Sequence, residues 1–122
     1  MGELRLPFLV SMQNFIFEYR NALDRDFCDH VIQKFEADPR KIGGRTAAGW
    51  DEQIKLSTDL LISNHWEWAE EDKVFSSSLR EYLPKYYEDC IKKCYQSMST
   101  TLDTGFNIQR TSPGEYYKWH ND

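Results

Sequence analysis

Cysteine is scarce in this sequence, which has three (Cys28, Cys90 and Cys94) among 122 residues. An odd and sparse set argues against the disulfide framework of small secreted domains and favours a reducing, cytoplasmic location. Cys90 and Cys94 lie four residues apart on a predicted helix, without further Cys or His at zinc-site spacing. We interpret them as buried thiols that pack as small apolar groups.

Long apolar runs and a basic excess are also lacking. No stretch is long enough to span a bilayer, and residues 1–20 do not join a basic leader to a continuous apolar segment, so no signal peptide is predicted. Lys and Arg number 15 against 20 Asp and Glu, a net charge of −5. We therefore expect no membrane or nucleic-acid partner, because a phosphate-binding surface needs a basic excess. The hydrophobic content of 40% supports one folded domain.

Several secondary-structure elements are predicted before residue 100. An aromatic-rich strand is predicted over 15–19, and a helix capped by Asp24 and closed before Pro39 follows it. Residues 39–53 form a glycine-containing loop, and 55–63 a second strand. Apolar residues recur every three or four positions over 69–98, which predicts a long helix packed on the sheet, kinked or split at Pro84.

The last segment changes to a strand pattern. Apolar and polar residues alternate over 106–110, which predicts a strand within 104–111, and a second aromatic-rich strand is predicted over 115–119. Because Ser112-Pro113-Gly114 is a turn sequence between them, we predict two adjacent antiparallel strands.

Two histidines are each followed, two positions later, by an acidic residue. His120 and Asp122 would project to the same side at the end of the last strand, since side chains alternate on an extended chain. One imidazole and one carboxylate supply two positions of a facial triad, which leaves sites on iron(II) open. His65 and Glu67 imitate this pair, but they lie where a strand gives way to a helix, and we interpret them as a helix start. His30 is interpreted as an exposed or satisfied helix histidine and not as a metal ligand.

The context of His120 carries more information than the pair itself. Over 106–122 the sequence resembles the prolyl 4-hydroxylase-like branch of the iron(II)- and 2-oxoglutarate-dependent oxygenases. In that branch a strand ending in Arg leads to a Pro-Gly turn, an aromatic pair, two further residues and His-x-Asp. Here Pro113-Gly114, Tyr116-Tyr117 and His120-x-Asp122 fall in that register. The order of the preceding elements also fits, although Thr111 stands where an aromatic often follows the Arg.

The resemblance implies a fold and an activity. The fold would be α+β, with N-terminal helices packed on the first strands of a double-stranded β-helix (jelly roll) that is incomplete in this chain. Residues 1–122 would form one domain, with a helical support region over 1–103 and the start of the jelly-roll core over 104–122. The activity would be hydroxylation of a C–H bond by dioxygen, coupled to conversion of 2-oxoglutarate to succinate.

The resemblance also implies site residues. His120 and Asp122 would bind Fe(II), and Tyr117 would line the 2-oxoglutarate pocket; ascorbate is a further candidate cofactor. Strict alternation would turn Tyr117 away from His120, so a shared pocket requires a twist or bulge between them. Simple packing is the alternative role for Tyr117. Arg45 and Trp50 are candidate contacts to a small-molecule or peptide substrate, because loops beside a barrel mouth often bind substrate; the alternative is a plain surface loop.

Further expectations concern the parts of an oxygenase site that the resemblance implies but this sequence does not contain. The third iron ligand and a basic anchor for 2-oxoglutarate would come after Asp122, so the 122-residue chain alone is expected to be inactive. An open sheet edge favours a homodimer. Two alternatives stay open, a non-enzymatic jelly-roll or β-sandwich binding module in which His120 and Asp122 are incidental, and a truncated product with an oligomerisation role.

Overall fold

The protein is a mixed α+β chain, and the computed structural model describes residues 16–91 and 103–121. Two α-helices and five short strands occur there. In chain order the elements are α1 (Arg25–Ala37), β1 (Ile42–Gly43), β2 (Lys55–Leu56), β3 (Thr58–Leu61), 3-10 turns at Ile62–Asn64 and Trp66–Trp68, α2 (Ala69–Tyr86), a π-turn (Tyr87–Ile91), β4 (Asn107–Arg110) and β5 (Tyr116–Tyr117).

Helix α1 begins and ends as predicted. The Asp24 side chain accepts a hydrogen bond from the backbone N–H of Phe27, which satisfies one of the donors left unpaired in a first turn. The helix ends at Ala37, because a residue before proline disfavours the helical conformation. Val31 and Phe35 on its inner face are buried.

The strand predicted over 15–19 is wrong for its described residues, since 16–19 are irregular. Their aromatic content serves packing onto the later helix instead. The ring of Tyr19 lies 5.1 Å from that of Tyr82 on α2, and its hydroxyl donates to Asp89 at 2.9 Å.

The hairpin predicted between 104–111 and 115–119 is also wrong. Strand β4 pairs with β3, and β5 pairs with β2, so the two sheets have the orders β1-β3-β4 and β2-β5. Both later strands therefore line up antiparallel along residues 55–61, with Thr58 opposite Arg110 and Leu56 opposite Tyr116. Residues 111–115 loop out of this ladder opposite Ser57. The loop closes on itself, because Glu115 donates its backbone N–H to the Ser112 carbonyl.

Helix α2 passes through Pro84 without being split there. The α pattern continues to Tyr86, and the π-turn follows. At the junction the backbone N–H of Tyr87 is shared between the carbonyls of Leu83 and Pro84. The predicted helix end near residue 98 and the side chains of Cys90 and Cys94 lie outside the described part of the chain.

The core lies where α1, β3 and the 3-10 turns meet, and it continues to the first of the regularly spaced apolar residues on α2, which we call the stripe. Phe75 packs its ring 5.3 Å from that of Phe27 and 5.6 Å from that of Phe106. Leu79, one turn later, remains 43% exposed. The predicted packing of the stripe therefore holds at Phe75 and fails at Leu79. The buried core residues are Val31, Phe35, Leu60, Ile62 and Trp68.

A buried carboxylate joins the end of α1 to the second 3-10 turn. Asp38 accepts hydrogen bonds from the Arg40 guanidinium and, at 2.9 Å, from the indole N–H of Trp68. The bonds from Arg40 chiefly hold the pKa of Asp38 well below its usual range. Asp38 is therefore charged and fully partnered, as a buried carboxylate must be.

A second buried carboxylate joins α1 to α2. Glu71 is bound by Lys34 at 2.8 Å and by His30 at 2.6 Å. Burial raises the pKa of Glu71 while these two partners lower it, and the net pKa is below its usual value. The interpretation of His30 as a satisfied helix histidine is therefore confirmed. No helix within the described ranges is both long and apolar enough to cross a bilayer.

Candidate functional site

The end of β5 brings Tyr117 and His120 together. The predicted strand over 115–119 is shorter than expected, ending at Tyr117, and the chain then turns at 118–120. As a result the His120 imidazole stacks on the Tyr117 ring, with centroids 3.5 Å apart and planes inclined by 11°. The departure from strict alternation that a shared site requires is therefore present.

The orientation of His120 is further fixed by its own backbone. Its Nδ1 atom lies 2.8 Å from the Lys118 carbonyl oxygen, and because a carbonyl only accepts, Nδ1 is the donor. In the neutral ring the lone pair then belongs to Nε2. A metal-binding histidine is commonly held in this way, with one ring nitrogen donating to a carbonyl and the other presented to the ion.

The described residues supply only part of a set of metal ligands. Asp122 lies outside them. Among residues 16–91 and 103–121, no three His, Cys, Asp or Glu side chains converge to hold a metal ion. The exposed, tethered imidazole of His120 thus fits the role of one ligand, and any complete site also needs donors from elsewhere.

In the competing pair of His65 and Glu67, the glutamate has a structural role. His65 lies between the two 3-10 turns, and the second turn leads directly into α2, which confirms the predicted helix start. Glu67 binds the guanidinium of Arg40 at 2.8 Å. The hydrogen bond from Arg40 is also the main reason that the pKa of Glu67 is lowered.

A buried polar cluster beneath β5 was missed by the sequence reasoning. Lys55, Ser57 and Asp59 alternate along β2 and β3 on one face, and all three are buried. The Lys55 ammonium lies 3.0 Å from one Asp59 carboxylate oxygen, and the Ser57 hydroxyl donates to the other at 2.7 Å. The side-chain amide of Asn107 on β4 also donates to Asp59. The signal for this cluster was the recurrence of polar residues at every second position, 55, 57 and 59, on one face of the strand.

Lys55 links the cluster to the Tyr117–His120 stack. It is paired directly with Tyr117 across the β2-β5 ladder. Its ammonium lies 5.0 Å from the centroid of the Tyr117 ring, within the range of a cation–π contact. The same ammonium donates to the Arg45 carbonyl at 3.3 Å.

The two candidate substrate contacts lie on the loop over this cluster. The Arg45 side chain is exposed while its carbonyl is held by Lys55, so Arg45 is connected to the stack through its backbone. Trp50 is also exposed and packs beside Gly43 of β1. Between them, Thr46 and Gly49 close a tight turn by exchanging backbone hydrogen bonds.

Gly44 provides a test of how tightly this loop packs. Its N–H donates to the Ser57 carbonyl, and a Cβ atom added to it would lie 2.0 Å from the Ser57 hydroxyl and 2.9 Å from Lys55 Cε. We expect Gly44→Ala to lower the free energy of unfolding by about 1–3 kcal/mol in urea titrations, the usual range for overpacking. Gly43→Ala is the control, because the nearest neighbour of its added Cβ atom is the exposed indole of Trp50, at 3.0 Å. Equal losses in both variants would contradict this packing.

No protein-family model, curated protein or solved structure matches this chain.

Proposed function

We propose that this chain forms the front part of an iron(II)- and 2-oxoglutarate-dependent dioxygenase of the prolyl 4-hydroxylase-like branch. His120 and Asp122 would be two of the iron ligands, and a small molecule or peptide the substrate. The observation that carries the proposal is the fixed His120 imidazole, stacked on Tyr117 and tethered through Nδ1 to the Lys118 carbonyl. This is the residue that the motif resemblance singles out as a ligand.

The antiparallel strands are the part of the proposed jelly-roll core that this chain contributes. Strands β4 and β5 both pair with residues 55–61, on either side of Ser57. We propose that residues after β5 complete both sheets, with the histidine and the basic anchor that the resemblance implies.

In this proposal the bound iron and 2-oxoglutarate supply the oxidising chemistry. His120 would hold the iron through Nε2, because Nδ1 is committed to the Lys118 carbonyl. Tyr117 holds the imidazole plane and contributes one wall of the co-substrate pocket. The loop that carries Arg45 and Trp50 offers exposed side chains to the substrate beside this wall.

The proposal is tested on the full-length protein by ligand binding and turnover. Under anaerobic conditions, Fe(II) with 2-oxoglutarate should raise the melting temperature, because a ligand present at 100 times its Kd stabilises the folded state by about 2.7 kcal/mol. Admission of air should then release succinate, and an iron chelator should stop that release. Absence of both the thermal shift and succinate would refute the proposal, and iron binding without any effect of 2-oxoglutarate would limit it to a metal site.

A further inference from the structure

Lys55 occupies an unusual position for a lysine. Its side chain is 2% exposed, although it lies on the two-residue strand β2, whose partner strand β5 is exposed. Burial of an ammonium is costly, and replacing a buried ion pair by apolar side chains of similar volume is often neutral or stabilising. The pairing with Asp59 accounts for the charge balance. It does not account for the contact of the ammonium with the ring of Tyr117.

Lys55 is connected to His120 through the ring of Tyr117. The ammonium lies over Tyr117, and His120 stacks on that same ring at 3.5 Å. The backbone ladder fixes the first step, since Lys55 and Tyr117 are cross-strand partners. The hydrogen bonds of Lys55 to Asp59 and to the Arg45 carbonyl fix the ammonium itself. No other described lysine contacts the ring on which His120 stacks.

We infer that Lys55 is a positioning residue for His120 that acts through the ring of Tyr117, an inference that takes its functional meaning from the proposed function. The ammonium holds the ring, and the ring sets the plane of the imidazole and hence the direction of Nε2. The group that orients a metal-binding histidine commonly changes metal affinity about 10–100-fold when it is altered. The same ammonium also donates to the Arg45 carbonyl. Lys55 therefore connects the loop that carries Arg45 and Trp50 with the ring on which the His120 imidazole stacks.

The variant that removes the ammonium must not leave Asp59 charged and unpaired in the interior. Lys55→Met combined with Asp59→Asn removes both charges and keeps similar side-chain volumes. Lys55→Arg is the second variant, because it retains a cation beside Asp59 but moves the charge relative to the ring. Lys85→Met is the matched control, since Lys85 also lies over a tyrosine ring, that of Tyr82, at 4.6 Å.

Two readouts on the full-length protein separate this inference from the proposed function. The first, without metal, is the NMR chemical shift of the His120 ring protons, which the stacked Tyr117 ring displaces. The second is the affinity for Co²⁺ as a probe metal. Both Lys55 variants should move the His120 signals, and the double variant should weaken Co²⁺ binding about 10–100-fold. Lys85→Met should change neither readout.

A cycle with Tyr117→Leu tests the route of the effect. If Lys55 acts through the ring, changing Lys55 in the Tyr117→Leu background should cause no further change in the His120 signals or in Co²⁺ affinity. Unchanged His120 signals in both folded Lys55 variants would overturn the inference, as would equal effects with and without the ring. If the His120 signals follow Lys55 while the wild-type protein binds no Co²⁺, the positioning inference stands and the proposed metal function fails.

Discussion

His120→Ala should abolish 2-oxoglutarate turnover in the full-length protein while leaving it folded. A metal site that loses one protein ligand keeps poor geometry and weak affinity. The side chain is exposed at the end of β5, so its removal should change the free energy of unfolding by no more than about 0.5 kcal/mol. Asp122→Ala is expected to abolish turnover in the same way. Succinate release and urea unfolding, measured on the same preparation, check both parts.

His65→Ala is the matched control for this prediction. His65 is also followed two positions later by an acidic residue, but that residue, Glu67, is committed to Arg40. Turnover should therefore persist in His65→Ala. Full succinate production by His120→Ala would remove this histidine from the mechanism. Loss of turnover in both variants would show that the assay responds to histidine loss in general.

Trp68→Ala should cause the largest loss of stability among single substitutions in the core. Trp68 is 0% exposed, and its indole N–H is bound to Asp38. The Lys34 ammonium also lies 4.7 Å from the centroid of the Trp68 ring. Truncation of a buried tryptophan costs about 3–5 kcal/mol, which is a large part of the roughly 5–15 kcal/mol that holds a domain folded. Urea unfolding followed by circular dichroism measures the loss.

Trp66→Ala supplies the comparison on the same 3-10 turn. Trp66 is 83% exposed, so we expect a change within about 0.5 kcal/mol. A similar loss for both tryptophans would mean that the turn itself, and not the buried indole, determines stability. A small loss at Trp68 would contradict the placement of this side chain in the core.

Local signals predicted the elements better than their pairing. The Asp24 cap and Pro39 gave correct bounds for α1 because both act within a few residues of the helix end. The Pro113-Gly114 turn suggested a hairpin, yet β4 and β5 both pair with residues 55–61. A turn sequence indicates where the chain bends. It does not indicate which distant strand will pair with the strands on either side of the turn. The aromatic stretch at 16–19 failed for a similar reason, because its partner is helix α2.

The candidate site was predictable in part. The motif pointed to His120 and Tyr117, but alternation alone would separate them, and the turn at 118–120 that stacks them is a tertiary feature. Lys55 was missed because a lysine is almost always placed at the surface unless a buried partner is known. That partner, Asp59, lies on the same strand face as Lys55. The ring that the Lys55 ammonium contacts, that of Tyr117, is on a strand more than 50 residues later.

The shared pairing of residues 55–61 also bears on how the chain is made. This segment leaves the ribosome well before β4 and β5, which are its main partners. Throughout the synthesis of α2, its apolar residues and backbone groups lack the strands that cover them in the finished fold. Contacts of such sequence separation form slowly, because a long loop must close first. The nascent chain is therefore exposed to aggregation during this interval, and chaperone protection would act on it there.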